Sequence, residues 1–245
     1  AQDWLQGDMF DGVMNYQFSA ACVGFFGSDC RDEAMVSGMM GLPEVPNLDA
    51  KGFARRTKEL LEIYPRQNAL AQLNLMDSHD MPRFLSMVSG NKDVFRLATL
   101  FQMTYPGAPC IYYGNEIGMM GGRDPENRAP FPWDESHWDH DIRKVIKTFT
   151  HVRQENPVLR TGEYVPIYAE DRRFAFLRHL EDKRMLVALN AGSGSWALDV
   201  PVSDYFKDGI LFQDLLGGEG AVIENGHLRK LSLKPWQGAI LKPTP

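Results

Sequence analysis

Cysteine is scarce in this sequence. The 245 residues hold three, Cys22, Cys30 and Cys110. So small and odd a number excludes a disulfide framework and suits a reducing compartment. A cytoplasmic protein is therefore the expectation, with a Cys22–Cys30 bridge left open. Positive charge is in deficit as well: 26 Lys and Arg stand against 32 Asp and Glu, a net charge of −6. That argues against a nucleic-acid partner, because phosphate binding needs a basic face. No run of about 18 apolar residues exists, so no segment reads as a membrane span. Cys and His at zinc spacing are missing, and no Gly-rich phosphate loop precedes a helix. The chain opens Ala1-Gln2-Asp3-Trp4, with neither an initiating Met nor a signal-peptide pattern. The expectation is a cut inside a longer protein, or a processed form.

What is present is apolar and aromatic material, 44% and 11% of the residues, enough for a sizeable core or a sugar-binding cleft. Two regions differ in pattern. In residues 1–160, short apolar runs at 10–16, 70–76 and 109–113 read as buried strands. Helical patterns at 53–64, 94–105 and 142–155 alternate with them, and Asp141 is the expected cap of the last. Such alternation is the mark of parallel βα units, hence an α/β fold. From 161 to 245 the runs 174–180, 185–190, 210–216, 221–223, 228–233 and 238–241 lie close together, with Gly-rich turns and no helix between them. These predict an all-β antiparallel sandwich.

Asn74-Leu75-Met76-Asp77-Ser78-His79-Asp80-Met81-Pro82-Arg83-Phe84 delivers Ser, His and two Asp at the end of an expected buried strand. In a parallel barrel that end is where active sites are built. By itself the stretch also reads as a polar loop in which Asp80 caps a turn before Pro82. A second polar cluster, His137-Trp138-Asp139-His140-Asp141, has metal-ligating residue types but sits at a helix start. There Asp and His satisfy free backbone N–H groups, and no metal is expected.

Ser78-His79-Asp80-Met81-Pro82-Arg83 resembles the motif at the end of barrel strand seven in the alpha-amylase superfamily. Gly107-Ala108-Pro109-Cys110-Ile111-Tyr112-Tyr113-Gly114-Asn115-Glu116 is similar to that family's strand-eight signature. The segment from Trp4 through Gly7, Asp8, Phe10 and Asp11 to Tyr16 resembles strand six of the neopullulanase, cyclomaltodextrinase and maltogenic amylase branch. Asp124-Pro125-Glu126-Asn127-Arg128 resembles a loop of that branch that holds outer sugars. The resemblance spans essentially the whole chain. It implies strands six to eight of a (β/α)8 TIM barrel followed by the β-sandwich. It further implies a retaining glycoside hydrolase acting on α-1,4 bonds of cyclodextrins, maltodextrins or pullulan, so the implied partner is an α-glucan oligosaccharide.

By the same resemblance Asp80 is the catalytic carboxylate that stabilises the transition state, and His79 is a sugar ligand. Arg83 either touches the site or anchors its loop through a carboxylate. Asp124 and Arg128 are outer-subsite ligands or a salt bridge within their loop. Tyr112, Tyr113 and Glu116 shape the strand-eight exit, and Trp133 reads as packing rather than as a sugar platform. The family's nucleophile and general acid follow strands four and five. No segment here resembles either, so the chain alone is expected to be inactive. No cofactor is implied, and any calcium sites belong to the missing strands. The alternative is a noncatalytic glucan-binding or interaction module built on a half barrel. Three barrel strands leave two open edges, and the inward side chains Leu73, Leu75 and Ile111 lose their cover. A homodimer is therefore expected.

Overall fold

The computed structural model describes residues 1–6, 8–38 and 45–244. Gly7 of the strand-six segment lies outside them. In chain order the first region holds α1 (Tyr16–Phe26), α2 (Glu33–Val36), α3 (Ala50–Glu62), α4 (Arg66–Ala71), β1 (Leu73–Leu75), α5 (Phe84–Met87), α6 (Lys92–Thr104), β2 (Ala108–Cys110), α7 (His140–Glu155) and α8 (Val158–Thr161). β1 and β2 pair in parallel, Leu73 opposite Ala108 and Leu75 opposite Cys110. The expected strand at 10–16 shrinks to one parallel bridge, Met14 with Leu73. Its neighbours confirm the direction: Asn15 N donates to Leu73 O and Leu73 N donates to Val13 O. The reason for the shrinkage is Asn15. Its side chain accepts from Phe18 N and so caps α1, turning the chain into a helix where the sequence suggested strand. The expected cap of α7 also moves. Asp139 accepts from Ile142 N, and Asp141 sits within the first turn.

The second region is antiparallel. β3 (Glu163–Glu170), β4 (Arg173–Leu180), β5 (Lys183–Asn190), β6 (Trp196–Ala197), β7 (Val200–Pro201), β8 (Leu211–Asp214), β9 (Ala221–Glu224), β10 (His227–Arg229), β11 (Ser232–Leu233) and β12 (Gln237–Pro243) follow one another. Eight form one sheet in the order β3-β4-β5-β12-β8-β9-β10-β7, and β6 pairs with β11. Successive strand residues face opposite sides, and here both sides are buried. Phe174, Phe176, Val187 and Leu189 join the core of the first region. Ala175, Leu177, Leu186 and Ala188 pack with Trp196, Phe212 and Ile223 in a second core within the β-region. The first core is strongly aromatic, Phe53 lying 5.5 Å from Phe174 and Phe101 lying 5.8 Å from Phe176, ring centre to ring centre.

The buried Arg178 and the half-buried Arg172 tie the two regions together without a carboxylate, and the buried Arg153 braces the first region from within. Arg178 on β4 donates from Nε to Glu163 O (3.1 Å), from Nη1 to Thr104 O and Leu159 O (2.8 Å), and from Nη2 to Gly162 O (2.9 Å). Arg153 on α7 donates to Met103 O, Tyr105 O, Leu159 O and Gly107 O. Arg172 reaches Phe25 O and Leu48 O. Burial pulls the Arg153 guanidinium down to about 10 and that of Arg178 to about 9, which leaves both charged at neutral pH. Cys22, Cys30 and Cys110 are all free, so the Cys22–Cys30 bridge is not formed. Leu75 is fully buried, contrary to the expectation that it would be uncovered, whereas Leu73 is 42% exposed. Among the described residues no helix is long and apolar enough to cross a membrane.

Candidate active site

The site begins where β1 ends. Met76 O accepts from Ser19 Oγ of α1 (2.6 Å), and the chain then leaves the sheet as Asp77-Ser78-His79-Asp80. Ser78 Oγ accepts from Asp80 N (3.1 Å), a tight local turn that aims the Asp80 carboxylate outward. That carboxylate is 27% exposed. Tyr16 OH donates to its Oδ2 at 2.7 Å. His79 Nε2 lies 3.2 Å from its Oδ1, and Arg128 Nη2 lies 3.9 Å from the same oxygen. A partly open carboxylate thus stands among a phenol, an imidazole and a guanidinium. Burial, and then the nearby Asp80 charge, push the Tyr16 phenol up, so it stays a donor.

The loop after β2 closes the other side. Asn127 Nδ2 donates to His79 O (2.9 Å) and Met81 O (3.0 Å), and Arg128 Nε donates to His79 O (3.0 Å). Arg128 Nε also lies 3.3 Å from Asp124 Oδ1. Asp124 and Arg128 therefore pair within their loop while Arg128 leans on the His79–Asp80 turn. Both remain substantially exposed.

Arg83 is placed differently. It is fully buried, its guanidinium 4.6 Å from the Tyr112 ring centre and 4.8 Å from that of Tyr113. Nη1 donates to Tyr113 O (2.6 Å) and to Asn115 Oδ1 (3.3 Å), whereas Nε and Nη2 have no partner among the described residues. It anchors through a carbonyl and an amide rather than through a carboxylate. Asp77 is buried beside it, accepting from Phe84 N and from Asn115 Nδ2, both at 2.6 Å. Burial raises its carboxyl to about 6, opposed by those two hydrogen bonds and by Arg83.

Trp133, read from the sequence as packing, is 83% exposed, with Phe131 at 4.8 Å between ring centres. In the His137–Asp141 cluster, Asp139 caps α7 and pairs with Lys92 Nζ at 2.7 Å. Among the described residues no three His, Cys, Asp or Glu side chains gather as metal ligands. Sequence reasoning assigned no role to Tyr16, Asp77, Asn115 or Asn127, although each lies inside a segment it singled out. Tyr16 closes the strand-six segment, Asp77 is the first of the two Asp after β1, Asn115 ends the strand-eight signature before Glu116, and Asn127 sits inside the Asp124–Arg128 segment.

The chain matches known proteins along nearly its whole length. A family model described as alpha amylase, catalytic domain, matches residues 1–162. One described as neopullulanase-like, C-terminal domain, matches residues 164–242. Neopullulanase 2 of Thermoactinomyces vulgaris is 36% identical over 245 residues, which cover 98% of this chain and 38% of that protein. A cyclomaltodextrinase of Bacillus sp is 40% identical over 189 residues, 76% of this chain and 31% of that protein. The native structure of a debranching enzyme from Nostoc punctiforme superposes with a TM-score of 0.87 at 34% identity, covering 99% of this chain and 50% of that one. The chain thus spans well under half the length of the curated relatives it matches. With the Ser78-His79-Asp80 turn at the end of a parallel strand and family models matching both regions, this chain belongs to the alpha-amylase family, as part of the catalytic domain followed by a neopullulanase-like C-terminal domain.

Proposed function

We propose that this chain forms the strand-six-to-eight wall of the active site in a retaining glycoside hydrolase that acts on α-1,4-linked glucans. Cyclodextrins, maltodextrins and pullulan are the substrates in view. One observation carries the reading: the Asp80 carboxylate stands partly exposed at the C-terminal end of a parallel strand, held by Tyr16 OH and flanked by His79 and Arg128.

The chemistry follows from the charge. Glycoside cleavage passes through an oxocarbenium-like state, and a fixed carboxylate close to the sugar ring stabilises that state more than the ground state. Tyr16 fixes Oδ2 of Asp80, and Oδ1, beside His79 and Arg128 on the partly exposed side, accepts a sugar hydroxyl. His79 and Arg128 present N–H donors at the same rim, and Asp124 adds an acceptor further out. Arg83 supports the loop from below. The nucleophile and the general acid come from residues outside these 245, so the chain by itself does not hydrolyse glycosides. Such groups act as a unit and one cannot replace the others.

The test is Asp80→Asn in the enzyme that contains this chain. The change keeps shape and removes charge. Turnover on maltodextrin should fall at least about 100-fold, while the melting temperature stays unchanged. Wild-type turnover by the folded variant refutes the assignment. A glucan-binding module without catalysis would instead bind maltodextrin and show no turnover even before the substitution.

A further inference from the structure

Beneath the His79–Asp80 turn lies a buried polar chain of which the proposed chemistry uses only Arg83, as a support for the loop. Asp77, Arg83 and Asn115 are each at most 3% exposed. Asp77 Oδ2 accepts from Phe84 N and Oδ1 from Asn115 Nδ2, both at 2.6 Å. On its other side Asn115 Oδ1 accepts from Arg83 Nη1 at 3.3 Å. A buried anion and a buried cation are therefore joined through one amide instead of a direct ion pair. An amide has one donating and one accepting end. Here the order anion, amide, cation makes each contact a donor facing an acceptor, and flipping the amide would spoil both.

The geometry has a direction. Asp77 and Phe84 bracket the loop that carries His79 and Asp80, and the bond between them fixes its span. Asn115 belongs to the turn after β2, so the second bond locks that loop to the exit of the neighbouring strand. Arg83 adds Tyr113 O to the same brace. Arg83, from the loop itself, and Cys110, on β2, are the charged and titratable groups that face Asp77.

We propose that Asp77, acting through Asn115, is a positioning residue that sets where the Asp80 carboxylate stands in the cleft. This rests on the reading of Asp80 as the stabilising carboxylate. The site disfavours the Asp77 charge, since burial pushes its carboxyl up to about 6. A buried charge costs stability unless it is well paired, and fixing one geometry is the best-attested use of such a group.

The test is a swap, made in the enzyme that contains this chain and read as kcat and KM on maltodextrin. Asp77→Asn sets two amide NH2 groups against each other, and Asn115→Asp sets two carboxylates against each other. Each should lower kcat about 100-fold, the effect of a misplacement of about 1 Å, with KM changed less than about threefold. The double variant Asp77→Asn/Asn115→Asp restores a donor facing an acceptor, keeps an oxygen for Phe84 N, and gives Arg83 a carboxylate. It should recover kcat to within about fivefold of wild type. Single variants with wild-type kcat, or a folded double variant no better than the worse single, overturn the proposal. Should the charged variants not fold, Asn115→Ala decides. A kcat loss of at least about 10-fold at constant KM supports positioning, and unchanged kcat refutes it. Asp80→Asn in the same assay separates the two readings. If it stays active, the functional reading fails. If it is inactive while Asp77→Asn turns over normally, only the positioning role fails.

Discussion

Arg178→Met offers a quantitative test of how the two regions are joined. The side chain is fully buried on β4 and gives hydrogen bonds to four carbonyl oxygens, those of Glu163, Thr104, Leu159 and Gly162. Methionine matches much of the stem but supplies no donor. Leu159 O keeps a bond from Arg153 Nη1 at 2.8 Å, so three acceptors lose the arginine. Each buried acceptor left without a partner costs about 1–3 kcal/mol. Removing a charge that burial disfavours offsets part of that loss, so a net destabilisation of about 3 kcal/mol is expected, toward the low end for breaking a buried charged contact. For a chain of this size each kcal/mol moves the melting temperature by about 2–4 °C, which predicts a fall of roughly 6–12 °C. Circular dichroism melts of the 245-residue chain at neutral pH measure it. Arg160→Met is the control, since Arg160 is exposed and should change stability by less than about 0.5 kcal/mol. A shift for Arg178→Met no larger than that of the control would refute the reasoning.

Three further outcomes follow. Because burial raises the Asp77 carboxyl to about 6, its folded value lies above the unfolded one. The associated stability is full below about pH 4 and is lost as pH rises through 6. Urea melts should show wild type losing about 2 kcal/mol relative to Asp77→Ala between pH 4 and pH 7, and parallel curves would contradict this. Tyr16→Phe removes the 2.7 Å bond to Asp80 Oδ2 and should lower kcat of the enzyme containing this chain about 10-fold without unfolding it. The isolated chain should form dimers at micromolar concentration, because the outer edges of Val13-Met14 and of β2 have no strand partner among the described residues and Leu73 is exposed. Light scattering that reports a monomer mass at every dilution excludes it.

The parts of the fold that the sequence disclosed are those set by local pattern. The strands around Leu73–Leu75 and Ala108–Cys110, the amphipathic helices α3, α6 and α7, and most of the antiparallel strands were legible from periodicity. Helix α1 was not, because Phe18, Ala21, Cys22, Val23, Phe25 and Phe26 are all buried, and a helix apolar on nearly all sides shows no contrast at period 3.6. β3 was hidden by Pro166, which sits beside a register shift against β4. At the site, the Ser78-His79-Asp80 turn was legible as a motif, but its supports were not. Asn115 reaches Asp77 across 38 residues and Asn127 reaches His79 across 48. Spacing along the chain carries no record of such contacts. The exposure of Trp133 was likewise invisible, since an aromatic residue among prolines looks the same whether it packs or projects.

The shared aromatic core bears on domain exchange. Phe174 and Phe176 of β4 pack into the same cluster as Phe53 and Phe101. Arg178, on the same strand, grips the carbonyl of Thr104 at the end of α6. A chimera spliced near residue 162 would therefore not be cut at a neutral joint. It would transplant one wall of a shared hydrophobic core together with the donors that satisfy its neighbour's backbone. Grafts between relatives should succeed according to how well these few β4 side chains match the recipient's helices, more than according to overall similarity of the transplanted domain.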